Sequence, residues 1–180
     1  MRRFWLLASA VLVFMLPGVA ADAWGSAVNG VRMRIAINSG PNSEIQITVQ
    51  NVDDKPLLLR VGVLIGPRFY DFGFRVAVSV PGGKDRRAIY MGVPGAVGGR
   101  LDPLVLPLVP SASYTVKIPL AGFYVLDESE NLETFISKRC QMRVELDVQN
   151  FICPLYGYPN PNMIPCWQGK VVSNVLQLPN

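Results

Sequence analysis

The chain has 180 residues, 17 basic and 13 acidic side chains, a formal charge of +4 and no histidine. That length suits one domain with a core of its own. The missing imidazole excludes Ser-His-Asp and Cys-His nucleophilic machinery and removes the commonest zinc, copper and iron ligand.

The first segment, MRRFWLLASAVLVFMLPGVAADAWG, places Arg2 and Arg3 before an apolar run from Phe4 to Leu16, then a Pro-Gly break and the small residues Ala20 and Ala21. This is the layout of a cleaved secretory signal peptide over residues 1–21. The competing reading, an uncleaved anchor, needs an apolar span of ~20 residues, longer than this run. Cleavage removes two arginines and leaves 15 basic against 13 acidic groups, or +2. Residues 22–180 are then expected to form one secreted or periplasmic domain with no stable membrane insertion.

After the leader, apolar and polar residues alternate with the period of half-buried strands. VRMRIAI turns Val31, Met33, Ile35 and Ile37 one way, and EIQITVQNV does the same with Ile45, Ile47 and Val49. SGPN and VDDKP between these strands are turn chemistry. LLLRVGVLI is more continuously apolar and is expected near the middle of a sheet. FYDFGFRVAVSV reads as one long strand, closed by PGGKDR and partnered by RAIYMG. From Gly92 to Ser113 four prolines leave LVLPLV at best an edge strand.

SYTVKIPL resumes alternation through Tyr114, Val116 and Ile118. LDESENLETFISK is expected to hold a turn of helix capped by Asp127 or Ser129, or a loop. RCQMRVELDV alternates most regularly, with Cys140, Met142, Val144, Leu146 and Val148 inward; a one-residue slip would bury four polar groups, so its register is strongly specified. KVVSNVLQL reads as a final strand. About seven to nine short strands with Gly and Pro punctuation predict an all-β, antiparallel β-sandwich, with a small barrel as the alternative.

Chemistry is sparse. Asp53 with Asp54, Asp127 with Glu128, and Glu145 with Asp147 are the carboxylate pairs that a glycosidase-type mechanism could use. Each has a local reading: a turn, an acidic loop and the wet face of a strand. Lys84, Arg86 and Arg87 form a basic cluster in a Gly-rich turn, without the interleaved aromatics of a nucleic-acid footprint. Lys84 follows two glycines but precedes Asp85, so the phosphate-loop pattern fails. No cofactor and no metal site is expected, and the chain is read as non-enzymatic.

The cysteines carry the remaining information. Cys140 sits on the apolar face of its strand and is expected as a buried thiol. Cys153 and Cys166 are expected to form a disulfide around 12 intervening residues, a closure contributing ~3 kcal/mol by restricting the unfolded chain. The stapled loop carries Tyr156, Tyr158, Asn160, Asn162 and, at its end, Trp167. That composition suits a recognition loop, while the plainer reading has Trp167 capping the core.

AWGSAVNGVRMRI, EIQITVQNVDDKPLLL, LPLVPSASYTVKIPL and CWQGKVVSN together resemble secreted bacterial immunoglobulin-like β-sandwich domains. The group includes domains similar to the intracellular proteinase inhibitor of bacilli. The resemblance implies an immunoglobulin-like fold with a strand, an Asn-containing turn and a strand at its centre; it implies no activity. The resulting expectation is an exported module that binds a protein or glycan partner in the cell envelope or outside the cell. The alternatives are a secreted peptidase inhibitor working through the Cys153–Cys166 loop, and a carboxylate hydrolase.

Overall fold

The computed structural model describes residues 23–38, 43–65, 69–90, 101–126, 130–136, 139–149 and 164–178. Over these residues the chain is all-β: the strands pair antiparallel in three sheets, and helix is confined to single turns.

The first sheet has the order β1-β2-β8, with β1 at Val31–Asn38, β2 at Glu44–Asn51 and β8 at Ser113–Pro119. Its inner face is the alternating set expected: Val31, Met33, Ile35, Ile45, Ile47 and Val49 are buried, with Val116 and Ile118 beside them. Tyr114 departs from expectation. It stands opposite Val49 near the start of β8 but is 46% exposed, because β8 forms the sheet's outer edge there.

The second sheet has the order β4-β3-β7, from Phe69–Phe72, Leu57–Ile65 and Leu101–Leu108. LLLRVGVLI is its central strand and the proline-bearing strand lies at an edge, as expected. Leu58 explains how Pro107, opposite it, is tolerated. The N–H and C=O of Leu58 bond away from β7, to Pro165 O and from Trp167 N, so the proline stands where the ladder asks for no donor.

The third sheet runs β10-β9-β6-β5-β11-β12, with β13 also on β11. Its strands are β5 Phe74–Ser79, β6 Arg86–Tyr90, β9 Phe123–Val125, β10 Glu130–Asn131, β11 Cys140–Val148, β12 Gly169–Val172 and β13 Leu176–Leu178. β11 shows strict alternation, with Cys140, Met142, Val144, Leu146 and Val148 all buried. The inner faces of the three sheets share one apolar core. Single turns at Leu120–Gly122 and at α1, Leu132–Phe135, add Leu120, Leu132 and Phe135 to it.

Three sequence expectations are corrected. FYDFGFRVAVSV is two strands, because Gly73 donates to Val61 O (2.8 Å) and the chain passes there from the second sheet to the third. Such corners are made where a strand bends between sheets, and glycine is the usual residue. KVVSNVLQL is also two strands. Ser173 Oγ accepts from Val144 N (2.9 Å) and donates to Asn174 O (2.7 Å), so a side chain takes the place of a ladder carbonyl. The helical turn is capped by Asn131, whose Oδ1 accepts from Thr134 N (2.7 Å); Asp127 and Ser129 lie outside the described residues. These breaks, with the short β9 and β10, raise the described strands to thirteen.

Residues 28–35 and 167–174 are joined along a seam. Trp167 Nε1 donates to Val28 O, Asn29 Nδ2 to Gln168 O, and Ile35 N to Asn174 Oδ1, each pair separated by 139 positions. The segment before β1 is wedged there: a Cβ on Gly25 would lie 1.9 Å from Val172 O, which only glycine avoids. Trp24 lies beneath the guanidinium groups of Arg32 and Arg34, 4.4 and 4.8 Å from its ring centroid.

Candidate functional site: an arginine-lined cleft

Where the second and third sheets meet, a cleft of about 350 Å³ opens between β3, β5, β6 and the end of β11. Its chemistry-bearing residues are Arg60, Arg75, Arg87, Tyr90, Asp147 and Gln149. Backbone irregularity shapes it. The β3–β7 register slips between Arg60 and Gly62, and the Gly73 corner bonds to Val61 inside that slip. Bulges of this kind re-aim side chains, and they gather beside binding sites.

The cations come from three strands by strand register. Arg60 faces Val105 across β7, Arg75 faces Glu145 across β11, and Arg87 faces Ala77 across β5. Tyr90 packs edge-on against Phe123 with ring centroids 5.2 Å apart. Gly122 leaves room for that ring, since a Cβ there would come 2.5 Å from Tyr90 Cε2.

Two acids at adjacent outward positions of β11 have opposite surroundings. Glu145 takes an ion pair from Lys170 at 2.9 Å and a longer one from Arg143 at 3.8 Å. Arg143 also pairs with Asp85 at 2.6 Å. Asp147 is different: its Oδ1 is buried and has no hydrogen-bond partner. A buried acceptor left unmade costs about 1–3 kcal/mol, and each case in a folded protein calls for an explanation. A second hollow of about 200 Å³ continues over β5 and β6 and shares Arg75 and Arg87 with the first.

The sites expected from sequence are distributed as follows. Trp167 is 4% exposed with its indole N–H bonded to Val28 O at 3.1 Å, so its ring lies within the fold. Tyr156, Tyr158, Asn160, Asn162 and Cys153 lie outside the described residues. Pro165 to Trp167, at the end of that loop, are sewn to Leu58 by two backbone bonds of 2.8 and 2.9 Å. Cys140 is a free, buried thiol, and burial pushes its pKa upward, away from reactivity. Asp53 and Asp54 make the expected turn: Asp54 N donates to Asp53 Oδ1 (2.7 Å), and the Asp53 carboxyl is held below its ordinary pKa by hydrogen bonding with the Asp54 side chain first and by this backbone bond second.

The basic cluster does not act as a unit. Lys84 is exposed, Arg86 turns toward the Phe135 ring at 6.0 Å from its centroid, and Arg87 lines the cleft. Sequence reasoning missed the cleft. The signal was Arg60, the one charge inside LLLRVGVLI.

Among the described residues, no group of histidine, cysteine, aspartate and glutamate is placed to hold a metal ion, and no helix is long and apolar enough to cross a membrane. Comparisons of the chain with protein-family models, with curated proteins and with solved structures find no match.

Proposed function

We propose that the protein is an exported, non-enzymatic binding module of immunoglobulin-like β-sandwich architecture, and that its arginine-lined cleft receives part of a partner in the cell envelope or outside the cell. One observation carries the reading: Asp147 holds a buried, unpartnered oxygen in a cleft that three arginines line. A ligand is the economical explanation, because concave sites with a few converging polar groups are where ligands bind. The antiparallel sheets on one core support the sandwich, and the leader supports export.

A Cys153–Cys166 bridge belongs to the same reading. What supports it is that Cys140 is a free, buried thiol on its own strand, and that 12 residues separate Cys153 from Cys166. Non-reducing peptide mapping tests it; a peptide joining Cys140 to either of the others would overturn it.

The module itself is tested by retention on isolated envelope material. The parent protein should be retained and an Arg75→Ser, Arg87→Ser variant of unchanged melting temperature should not. Equal retention, or none by either, removes the cleft from function. A second reading, a peptidase inhibitor built on the stapled loop, is supported by the anchoring of Pro165 and Trp167 to Leu58. Dose-dependent peptidase inhibition that disappears on reduction would favour it.

A further inference from the structure

β8 ends the first sheet, with β2 on one side and, among the described residues, no strand on the other. Which of its backbone groups face outward follows from the bonds at its two ends. Leu120 N donates to Ser43 O (2.9 Å) and Asn51 N to Ala112 O (3.0 Å), and both pairs continue the β2–β8 register. Bonded pairs alternate with unbonded ones in an antiparallel ladder, so Ala112, Tyr114, Val116 and Ile118 bond toward β2. Ser113, Thr115 and Lys117 therefore turn their N–H and C=O groups away from the sheet, and all three residues are exposed. Such a row of open groups is a template for another strand.

We infer that the strand is β8 of a second copy of this chain, joined antiparallel across a two-fold axis at Thr115. The edge is self-complementary in that register: Thr115 meets its own counterpart, and Ser113 meets Lys117 on either side of the axis. Each of these pairs exchanges two backbone bonds. The side chains agree with the backbone. Lys117 faces a serine and not a like charge. On the outer face, the hydroxyl bond between Thr48 and Thr115 (2.9 Å) is extended across the axis by the same pair of the second copy. On the inner face, Tyr114, exposed in the single chain, lies opposite Val116 of the second copy, an aromatic and β-branched pair that covers its ring.

The neighbouring registers are poorer. One sets Pro119, which has no N–H, opposite Ser113; the other calls on Ser111 N, which already donates to Asn51 O. Lysine and proline at a sheet edge can also repel partners. Here Pro119 lies beyond the last pair of the ladder, and Lys117 has a neutral neighbour. A strand from another protein would find the same backbone groups, but only the symmetric placement derives the cover for Tyr114 and the partner for Lys117 from this sequence itself. A seven-residue edge is small beside a standard interface of about 1,600 Å², so the dimer is weak and concentration-dependent. It uses no residue of the cleft, and its failure leaves the proposed function untouched.

Sedimentation equilibrium of the whole exported protein from about 10 μM to 1 mM should show a monomer–dimer equilibrium. Ser113→Glu sets an acid opposite Lys117 twice per dimer and should tighten association about 2- to 30-fold; Ser113→Lys sets like charges there and should weaken it by a similar factor. Both effects should shrink as salt rises, with the melting curve unchanged. Under mild oxidation Thr115→Cys should form a symmetric disulfide-linked dimer and Lys117→Cys should not, because only position 115 meets itself. A monomer at every concentration overturns the inference. So do equal effects of the two Ser113 substitutions, or cross-linking at 117 in place of 115. A monomer whose retention on envelope material is lost in Ser113→Lys gives the edge to a strand of another protein, and overturns it as well.

Discussion

Asn51 and Asp147 are polar residues at the ends of long strands, yet their accounts differ completely. Asn51 ends β2, is fully buried and uses its whole amide. Nδ2 donates to Lys55 O (2.9 Å) and Leu108 O (3.0 Å), and Oδ1 accepts from Asp53 N (2.9 Å). It ties the β2–β3 turn to the end of β7. Asp147, near the end of β11, leaves one buried oxygen unbonded. A side chain satisfied by its own chain serves the fold; one left open at a cleft is, on the proposed reading, what a partner would complete.

The largest effect should come from Asn51. Asn51→Leu strands a turn N–H and two carbonyls and should cost about 3 kcal/mol, read by denaturant unfolding, with retention of the surviving folded protein on envelope material unchanged. Next, Ser173→Ala removes the acceptor of Val144 N and should cost about 1–2 kcal/mol in the same measurement. Asp147→Asn belongs at the other pole. It should change stability by no more than about 0.5 kcal/mol, since no bond to Oδ1 is lost, while altering ligand affinity. A large loss of stability in Asp147→Asn would erase the contrast.

Two pH effects sharpen it further. Cys140 is held neutral by burial, so its folded pKa lies above its unfolded one. Its contribution is therefore complete below the unfolded thiol pKa and is lost as pH rises through the folded value. Melting temperature should fall at alkaline pH less steeply in Cys140→Ala, and Cys140 in the parent should resist maleimide until unfolded. The smallest effect concerns Asp53, whose folded pKa is depressed by hydrogen bonding with the Asp54 side chain first and the Asp54 backbone N–H second. Its contribution is present above the unfolded pKa and lost as pH falls through the folded one. Asp53→Asn should slightly flatten the acid limb of the melting profile.

What the sequence made legible follows the range of the forces involved. VRMRIAI, EIQITVQNV and RCQMRVELDV declare their buried faces by period two, because each strand's alternation is local. The breaks at Gly73 and Ser173 were hidden inside continuous apolar patterns. A change of sheet is decided by Val61, and the interruption after β12 by Val144, both distant in sequence. The cleft was hidden for the same reason. Arg60, Arg87 and Asp147 sit on separate strands, and nothing near Asp147 in sequence says that one oxygen is buried without a partner. The Asn51 turn, by contrast, was visible as VQNVDDK because three of its four participants lie within five residues.

The seam between residues 28–35 and 167–174 also bears on when the fold can be completed. Bonds spanning 139 positions close a loop about as long as the domain itself. The entropy of that closure grows only slowly with length, but it must be met before any of the three bonds returns stability, and topologies rich in such distant contacts fold slowly. During synthesis β1 is among the earliest strands made, and Ile35 waits for Asn174. A chain not yet extended to Trp167–Asn174 can zip β1 to β2, yet it leaves Val28, Asn29 and Ile35 open at the edge. Trp167 to Asn174 are therefore the piece that closes this edge of the fold.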